Sequence, residues 1–197
     1  MILSAKNIQC TRASRTLFHD IHFTVTTGEL LQVVGNNGVG KSSLLRILVG
    51  LLQPTSGNVL WNNQPITQSD FYQHLFYLGH SLAIKPELTV KENILFSDRN
   101  NHFSDDALKK TLAMWSLKNN INHLCGTLSQ GQKQRVALAR LQLSTAKIWI
   151  LDEPFANCDV QGIAQCDILF QTHLNNGGMI VVSTHRKIPI HGSILEL

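Results

Sequence analysis

The sequence predicts an α/β fold, and three observations carry that prediction. The chain opens with strand-like alternation, a glycine-rich loop sits between an apolar run and a helical pattern, and two more continuous apolar runs follow near the end. Ile2 to Gln9 and Leu17 to Val25 alternate as half-exposed strands. Gly28-Glu29 then turns into Leu30-Leu31-Gln32-Val33-Val34, a buried strand ended by Gly35. A helix is predicted from Lys41 to Leu48, with Gly50 as its stop. Between His80 and Leu128 the pattern changes to short capped helices, read as a helical insertion. Thr89-Val90-Lys91-Glu92 has capping-box form, and Ser104 precedes Asp105-Asp106 in a first turn. Ile148 to Leu151 and Met179 to Val182 return to strand, apolar throughout as a sandwiched parallel sheet requires.

With 197 residues, 43% hydrophobic and 15% charged, the chain has apolar material for one domain and no sign of disorder. Four cysteines at 10, 125, 158 and 166 form no CxxC pair and no zinc spacing, and they read as thiols. The nine histidines are scattered. The N-terminus lacks the apolar stretch of a signal peptide, and the longest apolar runs are strand-length, so no membrane span is expected. A net charge of +4, not concentrated in any run, permits attraction to nucleic acid, anionic lipid or a nucleotide and by itself decides nothing, so it calls for no nucleic acid partner.

Gly35-Asn36-Asn37-Gly38-Val39-Gly40-Lys41-Ser42 satisfies G-x-x-x-x-G-K-[ST], followed by Ser43, between a buried strand and a helix. Glycines let backbone N–H groups curl around phosphate oxygens, and the helix N-terminus favours the anion. Lys41 is placed to reach the β- and γ-phosphates, and Ser42 to offer its hydroxyl to Mg²⁺; the chemistry is that of a nucleoside triphosphate, ATP. The apolar strand Ile148 to Leu151 ends in Asp152-Glu153-Pro154, two carboxylates at the carboxyl edge of a parallel sheet. Asp152 suits Mg²⁺, directly or through water, and Glu153 suits a general base on the attacking water. A third feature is Leu128-Ser129-Gln130-Gly131-Gln132 ahead of a helical pattern, where Ser129 and Gln132 again fit a capping box.

These motifs together resemble the ABC ATPase family over the whole chain: phosphate loop, Leu128-to-Gln132 signature, Asp152 strand end, Asp159 loop, and His185 after the strand ending Ser183-Thr184. The resemblance implies a P-loop NTPase (RecA-like) core with an N-terminal antiparallel β subdomain and a helical insertion, the ABC nucleotide-binding domain. It divides the single domain into residues 1–79, an 80–128 insertion, and 129–197. It further implies that Ser129, Gly131 and Gln132 of one copy close over the ATP held by a second copy, that Asp159 serves communication across that dimer, and that His185 contacts the γ-phosphate.

The segments Leu138 to Leu141, Trp149 to Phe155, Asp159-Val160-Gln161-Gly162 and Leu78-Gly79-His80 are most similar to the haem-exporter ATP-binding subunit of cytochrome c maturation. That family works with integral membrane subunits at the cytoplasmic face of the bacterial inner membrane, where ATP hydrolysis is associated with release of a haem-loaded chaperone. Three departures from the general ABC pattern stand out. His80 occupies the position of the Q-loop glutamine, and an imidazole titrates near neutrality where an amide does not. Arg12 aligns with the aromatic residue that stacks on adenine, and a guanidinium plane can stack there too. Asn157 and Cys158 replace residues commoner in the loop before Asp159. No residue spacing indicates a haem ligand. Two other readings stay open: the same motor serving a different transporter, and a soluble ABC ATPase of cofactor assembly. A DNA-bound relative is excluded because the Lys41-to-Ser129 distance in sequence leaves no room for a long coiled coil.

Overall fold

Alternation and β-branched content decide the first sheet. In the computed structural model, which describes residues 1–97 and 103–197, β1 (Ile2–Arg12) pairs antiparallel with β2 (Arg15–Thr26) and with β4 (Ser56–Trp61), and β5 (Gln64–Pro65) closes the order β2-β1-β4-β5. Both opening strands run past their expected ends, because the two-residue turn at Ala13-Ser14, with φ of 45° and 63°, lets Arg12 pair with Arg15.

The second sheet has the order β6-β7-β8-β3-β9, from β6 (Leu75–Leu78), β7 (Ile148–Asp152), β8 (Met179–Ser183), β3 (Leu30–Val34) and β9 (Ser193–Glu196). Here β3 lies parallel between β8 and β9, and β7 lies parallel to β8. Every residue of β7 and β8 is buried, which is why their sequences are apolar up to their last residues, Asp152 and Ser183, rather than alternating. Helix α1 (Lys41–Leu48) contacts β1, β7 and β8, and its Leu44, Leu45, Ile47 and Leu48 join Leu3, Ile8, Val59, Trp61, Ile150 and Val181 in one core. The stop at Gly50 is as expected: with φ of 73° it donates its N–H to Ile47 O at 3.0 Å while Leu51 N–H reaches Arg46 O at 2.9 Å. A short helix α2 (Phe71–His74) precedes β6.

The chain divides into two compact units. The first is Met1–Tyr77, Ala146–Glu153 and Phe170–Leu197; the second is Leu78–Thr145 and Pro154–Leu169. The stretch expected to be helical over 80–128 lies in the second unit with α3 (Val90–Ser97) and α4 (Asp105–Met114), joined there by α5 (Gln130–Leu143). Both expected caps form: Glu92 accepts from Thr89 N–H at 2.8 Å while Thr89 Oγ1 accepts from Glu92 N–H at 3.2 Å, and Ser104 accepts from Ala107 N–H at 3.2 Å. Helix α6 (Val160–Asn175) starts in the second unit and ends in the first. Among the described residues no helix is long and apolar enough to cross a membrane.

Candidate functional site

Parallel register brings the first site together. Val33 of β3 pairs with Ser183 of β8, and Ser183 pairs with Asp152 of β7, so three strands end in one row and the loops that leave them are neighbours. From β3 the chain enters the Gly35–Ser42 loop. Gly35 has φ of 146°, and a Cβ there would lie 2.8 Å from Leu197 O; Gly40 has φ of 118°, and a Cβ there would lie 2.9 Å from the Phe18 ring. Only glycine fits either place. Gly40 is also the N-cap of α1 and supplies no side-chain cap, so the first-turn N–H groups of α1, including those of Ser42 and Ser43, are left for an anion.

Lys41 is buried and points back over the loop. Its Nζ donates to Gly35 O at 2.8 Å and Asn36 O at 3.2 Å, and lies 3.4 Å from His185 Nε2. His185 Nε2 is 2.9 Å from Asn37 Oδ1, a hydrogen bond when that nitrogen carries the proton, and 3.6 Å from Glu153 Oε1. The loop bearing His185 is anchored by Gln32, whose Nε2 donates to Arg186 O at 2.6 Å. A cation, an imidazole, an amide and a carboxylate from three separate stretches thus meet beside the phosphate loop.

Asp152 is 4% exposed, and its Oδ1 accepts from Ser183 Oγ at 2.6 Å while its Oδ2 is buried with no hydrogen-bond partner. A buried carboxylate oxygen without a donor is costly, of the order of 1–3 kcal/mol or more, unless a cation meets it. Glu153 follows with φ of 50°, held by its N–H to Ser183 O at 3.1 Å and Ser183 Oγ at 3.2 Å, and its Oε1 is likewise buried without a hydrogen-bond partner. A non-glycine residue in that conformation costs roughly 1–3 kcal/mol, which Ser183 and the end of β7 must hold. Asp152 and Ser42 offer oxygen donors, the ligand type that a hard cation such as Mg²⁺ takes.

The second unit holds the other expected residues except Arg12. Ser129 caps α5 with the full box: Ser129 Oγ accepts from Gln132 N–H at 3.2 Å, and Gln132 Oε1 accepts from Ser129 N–H at 2.9 Å. Gly131 packs against the backbone of the loop before α6, where a Cβ would lie 3.1 Å from Asn157 O. Gln134, buried, donates to Pro154 O at 2.7 Å. Asp159 caps α6 by accepting from Gly162 N–H at 2.9 Å and pairs with Arg135 at 2.8 Å. The Gly162 N–H holds the Asp159 carboxyl below the usual range, and the Arg135 charge helps it against the opposing effect of desolvation.

His80 is exposed in the loop after β6. Behind it, Arg140 of α5 clamps the backbone through Leu82 O at 3.2 Å and Ala83 O at 2.8 Å. Arg12 is exposed at the β1–β2 turn, directly opposite Arg15. Sequence reasoning missed Ser183, Gln32, Gln134 and Arg135 as positioning residues. Gln32 carried a signal, a polar residue inside an apolar strand, and so did Ser183, a hydroxyl at a strand end; the two α5 residues carried none.

The family model described as ABC transporter matches residues 18–156. The chain is 40% identical, over 95% of its own length and 94% of the relative's, to the cytochrome c biogenesis ATP-binding export protein CcmA of Photobacterium profundum. It is 43% identical to the protein of that name from Haemophilus ducreyi over 94% of this chain and 90% of that one. Among solved structures, an ABC transporter ATP-binding protein from Pyrococcus furiosus superposes with a TM-score of 0.87 at 21% identity over 100% of this chain and 98% of that one, which bears on the fold alone. The bacterial ABC transporter cassette MJ0796, solved as a dimer, superposes with a TM-score of 0.78 at 25% identity, covering 93% and 88% of the two chains.

Proposed function

Because the chain belongs to the ABC transporter family and, within it, to the cytochrome c biogenesis ATP-binding export proteins, we propose that it powers the haem exporter of cytochrome c maturation by hydrolysing ATP, driving release of a haem-loaded chaperone. The hydrolytic part rests on one observation: Glu153, with an unpartnered buried oxygen, stands 3.6 Å from a histidine that also lies 3.4 Å from Lys41.

The triphosphate takes the open N–H groups of the Gly35–Ser43 loop, and Lys41 exchanges its carbonyl partners for β- and γ-phosphate oxygens. Ser42 and Asp152 would hold Mg²⁺, which would supply charge neutralisation on those oxygens. Glu153 orients the attacking water and takes its proton, and His185, set by Asn37, contacts the γ-phosphate. Arg12 stacks on the base. The second half of the pocket is a facing copy of the chain that presents Ser129, Gly131 and Gln132, with Asp159 at the seam; the dimeric MJ0796 cassette supports this pairing. The dimer sits at the cytoplasmic face of the inner membrane against integral membrane subunits, which its relatives' role as export proteins supports.

Glu153→Gln is the decisive variant: the expected result is a dimer trapped with ATP, seen by gel filtration, and turnover reduced at least about 100-fold. Unchanged turnover sinks the mechanism. Affinity isolation from native membranes should bring down integral membrane subunits, whereas a purely soluble pool favours a cofactor-assembly ATPase instead. His80 stands at the Q-loop position, so His80→Gln is expected to change ATPase turnover; unchanged turnover removes that role.

A further inference from the structure

We propose that Cys158 and Cys166 form a peroxide-reactive dithiol which closes to an intrachain disulfide and arrests ATP turnover. All four cysteines are free thiols, but these two belong together. Cys158 lies in the loop one residue before the Asp159 cap of α6, and Cys166 lies in the second turn of that helix. Gly162, midway between them, carries no side chain, and a Cβ there would lie 3.5 Å from Cys158 Cβ and 3.8 Å from Cys158 Sγ. Cys158 therefore rests on the face of α6 that carries residue 162, and residue 166 is one turn further along that face. Cys158 Sγ donates to Pro154 O at 3.9 Å, which leaves its sulfur lone pairs to the Cys166 thiol.

Their environments divide the work. Cys166 is fully buried, whereas Cys158 is half-buried and reachable. The hydrogen bond from Cys166, helped by the Arg135 charge, holds the Cys158 thiol below its usual range against burial and the neighbouring Asp159 charge. Cys158 is thus the attacking thiolate and Cys166 the resolving thiol. In the first step Cys158 sulfur attacks the peroxide, an S–O bond forms, the O–O bond breaks, and hydroxide leaves to be protonated by solvent. In the second, Cys166 sulfur attacks the sulfenic sulfur, the S–S bond forms, the S–O bond breaks, and the hydroxyl departs as water with the proton of Cys166. Two thiols lose two electrons and one peroxide becomes two waters; a dithiol reductant reverses the change.

A disulfide sets the sulfurs about 2.05 Å apart, closer than any thiol hydrogen bond, so Cys158 must move toward α6. Asp159, the next residue, then leaves its bonds to Gly162 N–H at 2.9 Å and to Arg135 at 2.8 Å. The effect on turnover rests on the reading of Asp159 as part of the dimer seam; the disulfide itself does not.

The test treats the purified full-length chain with hydrogen peroxide, blocks the remaining thiols and cleaves before Asp159, which separates the two cysteines. The expected product is a pair of peptides joined through Cys158 and Cys166, with ATPase activity lowered about tenfold and restored by dithiothreitol. Cys158→Ser should keep its activity under peroxide, and Cys166→Ser should stop at a sulfenic acid on Cys158 that dimedone labels. Both thiols still alkylating after peroxide, or equal inactivation of Cys158→Ser, overturns the proposal; a disulfide that leaves turnover intact overturns its regulatory half. Mapping the disulfide in Glu153→Gln, which needs no turnover, separates failure of the dithiol from failure of the ATPase mechanism.

Discussion

Two helix N-termini of this chain begin in opposite ways. Helix α1 starts at Gly40, in a left-handed conformation with no side-chain cap, whereas α5 starts at Ser129 with both halves of a capping box in place. The first leaves its donors open and gathers a buried lysine and two unpartnered carboxylate oxygens around them. The second is satisfied by its own sequence within three residues. An anion site built for tight occupancy keeps its polar groups waiting, at a cost to the empty fold; one completed only by a facing surface can close on itself meanwhile.

Ser183→Ala attacks the waiting site, and it carries the largest effect of those that separate the two regions. It removes the 2.6 Å bond to Asp152 and one of the two acceptors of Glu153 N–H. A hydrogen bond to a buried charge is worth about 1.5–3 kcal/mol, so the Mg²⁺ concentration for half-maximal ATPase should rise roughly tenfold or more. An unchanged Mg²⁺ requirement would show that Asp152 needs no such support.

His173 tests the scaffold of the same unit away from the phosphate loop. It stacks on Trp149 with ring centroids 3.6 Å apart, and burial pushes its pKa down from 6.5 to about 4. The folded chain keeps this imidazole neutral while the unfolded chain protonates it below about 6.5, so its contribution is lost as pH falls from that value toward 4 and is constant above it. Allowing for its partial exposure, the loss amounts to roughly 1–2 kcal/mol. His173→Phe keeps the stack and should flatten the difference in urea midpoint between pH 7 and pH 5.

Ser129→Ala is the mildest for the fold. Loss of an N-cap costs about 1 kcal/mol, readable as a small fall in Tm without nucleotide, while nucleotide binding by the isolated chain is untouched. If binding of ATP to the monomer falls in step, the two regions are not separable as described.

The caps and the glycine loop were legible in the sequence because each is written within a few residues. Thr89 with Glu92, Ser104 with Ala107 and Ser129 with Gln132 all join groups that the helix itself brings into reach, and Gly40 before Lys41 marks an uncapped start in two adjacent residues. The apolar runs of β3, β7 and β8 were legible for the same reason, since burial on both faces dictates composition directly. What tertiary structure alone decided is which strand ends stand side by side. Asp152 meets Ser183 across 31 positions, Lys41 meets His185 across 144, and Asn37 meets His185 across 148. Those meetings depend on the order and register of parallel strands, and a strand's own residues specify that it is buried, not which neighbour it is buried against.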